Sequence, residues 1–426
     1  MIRFFLTGLF ITTTLFSWAQ PIGKIITRQE TERIERTLAS DDMRGRKVFS
    51  PEIDKAADFI AAEFQKAGLQ PMSGSSFRQE FSIVRPKFIS VAAMFDGTTV
   101  DPKNVIVVTC QPELKLNEQS GYEVAWVKSG GNLQSEARAF VRSKKNLLVL
   151  VESSFANSFK NLVRLKSSMF RINNNVVFVL TDKAPAQWSL EARHDITEQK
   201  MANVVGVLPG KSRKDEFVIF SGHYDHLGVG NPENGDSIYN GANDDAAGTT
   251  AVIMLAKYFA TIKNNERTLV FAAFTAEETG GFGSSYFSQQ LEPASVMAMF
   301  NIEMIGTESK WGKNSAYITG YDKTNMGEIL AKDLQGTEFT FYPDPYPAQQ
   351  LFYRSDNATL ARLGVPAHTL STSKMDVEPH YHKLTDHVET LDLDNMTEVI
   401  KAIALSARSI IAGTATPTRV QVSELR

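Results

Sequence analysis

The chain reads as an α/β protein with a mostly parallel central sheet, helices on both of its faces, and an inserted strand-rich domain. Three observations predict this. Beyond about residue 200, apolar β-rich runs alternate with helical stretches, the order that feeds a parallel sheet wrapped by helices. One of those runs, TLVFAAFT (residues 268–275), is apolar on both alternating faces, as a strand covered on both sides must be. Between residues 85 and 199, short β-rich runs separated by turn residues take over.

The 426 residues suit two domains, or one large domain with an insertion. With 42% apolar residues, 22% charged residues and a net charge of −3, the composition is ordinary for a globular protein. Nothing in it provides a basic surface for nucleic acid or for an acidic membrane. Ile2-Arg3, a greasy stretch over residues 4–16 and then Ser17-Trp18-Ala19 have the layout of a secretory signal peptide cleaved after Ala19. That stretch is shorter than the roughly 20 residues needed to span a bilayer, and no other segment is long and apolar enough. An exported chain, periplasmic or extracellular and without a membrane span, is expected. The single cysteine, Cys110, lies in the apolar run NVIVVTCQP and is expected to be a buried small hydrophobe. Without disulfides, stability must come from core size or metal.

Taken in order, the chain should comprise the signal peptide (1–19), an N-terminal helical part of the catalytic domain (20–84), the insertion (85–199), the catalytic domain proper (200–413) and a tail (414–426). A polar loop, LASDDMRGR, comes first after the leader region. Ser50-Pro51, then Ile53, Ala57, Ile60, Ala61 and Phe64, then Gly68, predict a capped amphipathic helix. The insertion carries the β-rich runs NVIVVTC, YEVAWV, NLLVLV and NNVVFVLT, with no clustered ligands or acid–base pairs. NVVGVLPG and FVIFSG read as two strands around a Pro-Gly turn. Val252, Leu255, Ala256, Phe259 and Ile262 give residues 246–262 helical spacing, and VMAMFNI and GVPAHTL repeat the strand theme. A last helix over 393–412 turns Met396, Val399, Ile400, Ile403 and Ala407 inward.

In sheets of this kind ligands bind beyond the carboxyl ends of the strands. His223 and Asp225 follow FVIFSG, and Asn243-Asp244-Asp245 follows the next loop. Glu277-Glu278 follows TLVFAAFT, Glu303 follows VMAMFNI, and EPHYHKLTDH offers His380, His382 and His387 near the C-terminus. Singly, each has a bland explanation: Asp-Asp as a helix cap, Glu-Glu as a solvated strand end, a histidine as an ordinary hydrogen-bonded residue. Together, carboxylates mixed with imidazoles suit Zn²⁺ and neighbouring divalent ions. Of two adjacent glutamates on a turn, one can hold metal while the other accepts a proton from water, as metal-assisted hydrolysis requires.

The consecutive stretches SGHYDHLG, NGANDDAAGTTAVIMLA, FAAFTAEETGGFGSSYF, NIEMIG, RSDNATLARLGVPA and YHKLTDHVETLD resemble the motifs of the M28 family of zinc metallopeptidases, in order, over about residues 200–412. LASDDMRGR and the helix after it resemble that family's lead-in. The resemblance implies a phosphorylase/hydrolase-like zinc peptidase fold and a co-catalytic pair of Zn²⁺ ions per chain acting on peptide substrates, most often as an aminopeptidase. It implies Asp244, Glu278 and His382 on one ion, and His223, the shared Asp244 and Glu303 on the other. It assigns the general base to Glu277. Tyr381 is a candidate donor to the oxyanion.

Two positions depart from the family pattern. Glu303 stands where many members have Asp, which keeps the carboxylate and lengthens its arm. Asn357 stands where Arg-Ser-Asp-His is common, on a position expected to face substrate or back up a ligand. Ligands need orienting partners: Asp225 is expected behind His223, Asp386 behind the His382 loop, and Asp245 beside the bridging Asp244. His226, His380 and His387 are expected to stand aside. A one-zinc acyltransferase of the glutaminyl-cyclase type and a non-catalytic module share this fold, but the complete ligand set argues against both.

Overall fold

The computed structural model describes residues 19–425; the signal peptide expected at the start of the chain lies outside them. The chain forms two compact units, one from Met1–Gln79 with Ala202–Arg426 and one from Glu80–Met201. No helix among the described residues is long and apolar enough to cross a membrane.

After a short helix at Ala19–Ile25, the first unit has helices α1 (Arg28–Leu38) and α2 (Pro51–Ala67). Helix α2 starts with Pro51 at its first position and stops at Gly68, whose φ of 82° is the left-handed conformation a helix terminator needs. Ser50 occupies the N-cap position, but its side chain makes no capping hydrogen bond. The sheet is built from β1 (Trp188–Leu208, of which 202–208 belongs here), β2 (Arg213–His223), β3 (Arg267–Phe274), β4 (Val296–Ile302), β5 (Ser315–Ile318), β6 (Thr340–Pro343) and β7 (Ala367–Ser371). Their order is β6-β5-β7-β4-β2-β3-β1. Strands β3, β2, β4 and β7 are mutually parallel, whereas β1 on β3 and β5 on β7 are antiparallel. The sheet is therefore mixed rather than mostly parallel. Strand β3 inserts between β1 and β2, so the two runs around the Pro-Gly turn do not pair with each other.

Helices α3 (Ala247–Ile262) and α4 (Leu393–Ser406) are the unit's other long helices, beside shorter ones at Phe282–Ser288, Met326–Asp333 and Asn357–Ala361; the stretch expected as one helix over 393–412 breaks at Ala407, with a short turn of helix at Arg408–Ile411 after it. Both sheet faces are covered. Phe220, Leu269, Phe271 and Phe300 pack with α2, α3 and α4 on one side, while Ile219, Val270, Phe274 and Met299 pack with Phe287 and Leu360 on the other. Phe220 stacks on Phe300, Phe259 and Phe271 at centroid distances of 5.0, 5.4 and 5.6 Å. The alternation TLVFAAFT foretold is thus filled on both faces, and burial of this kind is the main stabilising term.

One core residue is not apolar. Glu35, on the buried face of α1, accepts a hydrogen bond from the Thr250 hydroxyl at 2.8 Å and is fully buried. Burial pushes its carboxyl up to about 8, against the pull of Thr250 and of Arg46. With a folded value above the unfolded one, its contribution is fully present below about pH 4.5 and is lost as pH rises through about 8. Glu35→Gln should therefore gain stability over wild type progressively between pH 5 and 8, on the order of 4 kcal/mol at the plateau, and no further above it. Chemical denaturation at a series of pH values checks this; a constant difference between the two proteins would show that Glu35 is ionised throughout.

The second unit holds a four-stranded sheet in the order Val105–Val108, Val176–Leu180, Leu147–Val151, Glu123–Val127. The first pair is antiparallel and the other two are parallel. These are the four β-rich runs of the sequence. Helix Leu133–Arg142 lies over one face through Leu133 and Ala137, and Cys110 is buried in the same cluster.

Candidate metal centre

The parallel strands β3, β2 and β4 end on the same side of the sheet, and their carboxyl ends carry the site. Strand β2 ends at His223; β3 ends at Phe274, just before Glu277-Glu278; β4 ends at Ile302, just before Glu303. Between β2 and α3 the chain passes through Asp244 and Asp245, which are not helical (φ −111° and −131°). Gly248, in the first turn of α3, lets that turn close on β4: a Cβ there would lie 2.1 Å from the Ile302 carbonyl. Left-handed φ values at non-glycine residues recur in the site loops, at Ala276 (61°), Met304 (53°) and His382 (55°). Such conformations cost on the order of 1–3 kcal/mol each and collect at functional sites.

The carboxylate of Asp244 lies between two imidazoles. Its Oδ1 is 3.2 Å from Nε2 of His223, and its Oδ2 is 3.1 Å from Nε2 of His382. Oε2 of Glu278 is also 3.1 Å from Nε2 of His382. On the other side, Oε1 of Glu303 is 4.0 Å from Nε2 of His223. Two groups of donors share Asp244, one with His223 and Glu303 and one with His226 and Glu278. The expected ligands are thus brought together, His382 included.

The donor set fits divalent metal. Four donors at ~2.0–2.1 Å from an ion stand roughly 3.3 Å apart along the edges of their tetrahedron, close to the 3.1 and 3.2 Å separations here. Nε2 of His223 is buried without a hydrogen-bond partner, which is costly unless something occupies its lone pair or proton. Charge points the same way. Burial lifts Glu303 to about 7, with the charges of Asp244 and Asp356 adding to it. Burial would also raise Asp244, but the His223 and His382 imidazoles hold it well below the usual carboxylate range. Bound cations would relieve this crowding of buried carboxylates.

The supporting residues partly differ from expectation. Asp225 does hold His223, but through its main chain: Nδ1 of His223 meets the Asp225 carbonyl at 3.1 Å, while the carboxylate accepts from the backbone N–H of Glu277 at 3.1 Å. Asp386 supports the Asp244 loop: its two oxygens accept from the backbone N–H groups of Asn243 (2.9 Å) and Asp244 (3.1 Å). Asp245 accepts from the backbone N–H groups of His223, Gly248 and Met304, at 3.1, 3.0 and 3.0 Å, and so ties β2, α3 and the Glu303 loop together. Glu277 shares a turn with Glu278. Burial raises its carboxyl well above the usual range against the pull of His223, and the charges of Glu303, Asp356 and Glu278 add to the rise. Tyr381 stacks on His382 at 4.0 Å, and its hydroxyl lies 3.5 Å from the Arg354 guanidinium; burial raises it to about 12, so it stays a donor.

Asn357 faces the core, not the site. Fully buried, it donates to the Phe352 and Ala367 carbonyls and accepts from the Thr369 hydroxyl. Of the histidines expected to stand aside, His380 meets Thr385 and His387 meets Asp236, but His226 is in the site, with Nδ1 2.9 Å from Oε1 of Glu278. Sequence reading also missed Ser355, whose hydroxyl donates to Glu303, and Arg46, whose buried guanidinium donates to the carbonyls of Leu38, Tyr224, Asn240 and Gly241. The arginine of LASDDMRGR was visible as part of a motif; its four carbonyl partners were not.

Comparison with known proteins agrees with this geometry. The family profile described as Peptidase family M28 matches residues 203–407. The aminopeptidase YwaD of Bacillus subtilis is 22% identical over 410 residues, covering 91% of this chain and 81% of its own. A probable leucine aminopeptidase of Trichophyton verrucosum is 27% identical over 277 residues, covering 59% of this chain and 73% of its own. The structure of an aminopeptidase from Aneurinibacillus sp. strain AM-1 superposes with a TM-score of 0.55 at 17% identity, covering 96% of this chain and 98% of that one. With the expected ligands at the strand ends, the supporting carboxylates and the adjacent glutamates all in these positions, residues 203–407 form a peptidase family M28 domain and the chain is a metallopeptidase.

Proposed function

We propose that the chain is an exported zinc aminopeptidase that removes N-terminal residues from peptides with two Zn²⁺ ions per chain and Glu277 as general base. The observation that carries this reading is the placement of Asp244, each of whose oxygens faces the imidazole of a different ligand group. Relatives named as aminopeptidases and as probable zinc metalloproteases support the substrate class and the metal. Export rests on the leader-like start of the sequence.

Zinc supplies Lewis-acid polarisation of water and of the scissile carbonyl. The chain supplies the rest. Asp244 shared between two donor groups fixes their spacing. The Glu277 carboxylate accepts the proton of the attacking water and returns it to the leaving amine, a task suited to a carboxyl whose proton affinity is raised by burial. The protonated Tyr381 hydroxyl, beside Arg354, donates to the oxyanion.

A pocket adjoining Glu303 gives the site its preference. Met304, Tyr317, Leu351 and Met375 line it, with Arg354 and Tyr381 also in its wall. Two of its hydroxyls are already engaged: Tyr317 donates to the Ser373 carbonyl and Ser371 to the Met304 carbonyl. A lysine ammonium would meet the Arg354 guanidinium in the wall, and the carboxylate lining the pocket, Glu303, is assigned to metal, so it would enter at a cost of several kcal/mol. Leu- or Met-initial peptides should therefore exceed Lys-initial ones in kcat/KM by about 10²-fold or more. Incubation of the mature chain and Zn²⁺ with a peptide library, each peptide free or N-acetylated, tests both points by mass spectrometry. Stepwise loss of apolar N-terminal residues from free peptides alone is expected. Equal cleavage of acetylated peptides would overturn the aminopeptidase reading, and a preference for Lys would overturn the reading of the pocket.

A further inference from the structure

We propose that His226 is a positioning residue for the metal centre: its Nδ1–H holds Oε1 of Glu278 so that Oε2 is the oxygen turned toward metal. The inference rests on the two-metal reading above. Its basis is the geometry around one carboxylate. Oε2 of Glu278 faces His382 at 3.1 Å, whereas Oε1 faces Nδ1 of His226 at 2.9 Å. The His226 side chain has no solvent exposure, and neither ring nitrogen has an aligned hydrogen-bond partner; Oε1 of Glu278 is likewise buried and unpartnered. Two buried polar groups at contact distance, each lacking any other partner, need only a small rotation to satisfy one another. Leaving either unpaired would cost on the order of 1–3 kcal/mol.

The surroundings hold the imidazole at this angle. The backbone N–H of His226 meets the Arg46 carbonyl at 3.3 Å. The Arg46 guanidinium fixes the opposite wall through the carbonyls of Asn240 (2.7 Å) and Gly241 (2.9 Å). Gly241 in turn lies against the ring, where a Cβ would stand 2.5 Å from its Cγ and Cδ2. The edge of the ring also meets His382, with centroids 5.8 Å apart and planes at 70°. His226 is thus braced by backbone on one side and presented to Glu278 on the other. A glutamate whose second oxygen is held cannot swing to share the role of its neighbour Glu277. Partners of this kind typically govern metal affinity by 10–100-fold.

Asparagine places an amide N–H close to where Nδ1 of histidine lies, and it is a poor zinc ligand. Full-length wild type, His226→Ala and His226→Asn would be stripped of metal and titrated with Zn²⁺ against a chromophoric chelator. Circular dichroism would confirm that each is folded. Wild type should bind two ions. His226→Ala should bind one of them with wild-type affinity and the other roughly 10–100-fold more weakly, and His226→Asn should recover most of that loss. Two ions of wild-type affinity in His226→Ala would overturn the proposal. So would a His226→Asn as weak as His226→Ala, since the imidazole would then be acting on the metal itself. A single ion in wild type would instead overturn the two-metal reading on which the proposal rests.

Discussion

Glu277→Gln should keep its metal and lose on the order of 10²–10⁴-fold in kcat, the usual contribution of a positioned acid–base group. Glutamine preserves the shape of the side chain and one carbonyl oxygen but can neither accept nor return a proton. The backbone of residue 277 is held independently of its side chain, by the hydrogen bond from its N–H to the Asp225 carboxylate at 3.1 Å, so the turn and the neighbouring Glu278 should stay in place. The loss should fall on kcat and kcat/KM alike, the signature of a group that acts only in the transition state. In barrier terms it is about 3–5 kcal/mol. Metal analysis of the purified variant, together with steady-state rates on a Leu-initial peptide, checks both halves. A variant that turns over at wild-type rates would remove Glu277 from the reaction. A variant that loses an ion would move it into the ligand set.

The sequence showed the strands and most of the site because their signals are local. TLVFAAFT is apolar at every position between its two threonines, and a strand covered on both faces has few other ways to look. His223, Glu277-Glu278 and Glu303 each follow such a strand within a few residues, so strand ends predicted where they gather. Direction was harder to read. Nothing in the composition of β3 records that its neighbour β1 runs antiparallel, because pairing direction is fixed by how the chain returns, not by the strand's own residues. Partners distant in sequence were hidden for the same reason. His226 looks like any loop histidine until the fold carries it against Glu278, and Asn357 looks substrate-facing until its three core hydrogen bonds are seen. Whether Asp225 supports by carboxylate or by carbonyl depends on backbone torsions. So do the left-handed residues Ala276, Met304 and His382, of which only the histidine is a residue type enriched in that conformation.

Asp244→Asn should bind at most one ion and lose activity by on the order of 10³-fold or more, several kcal/mol of barrier. The carboxylate is the one group that faces both donor sets, with Oδ1 toward His223 and Oδ2 toward His382. An amide keeps a single oxygen and turns an NH₂ toward the other set, which removes a ligand and the charge that balances the ions. Stability should report the same defect. Metal that binds only the folded chain stabilises it by about 2.7 kcal/mol at 100 times its dissociation constant, so added Zn²⁺ should raise the Tm of wild type more than that of the variant. Asp245→Asn supplies the contrast. Asp245 is just as buried, but its oxygens accept three backbone N–H groups. An amide there should lower the Tm of the metal-free protein, whereas Asp244→Asn should act mainly on the gain from metal. Measured by metal analysis and thermal unfolding with and without Zn²⁺, two adjacent aspartates of equal burial should thus separate into a metal defect and a folding defect. If Asp244→Asn still binds two ions and keeps the full thermal gain, Asp244 is not the bridge between the two donor groups.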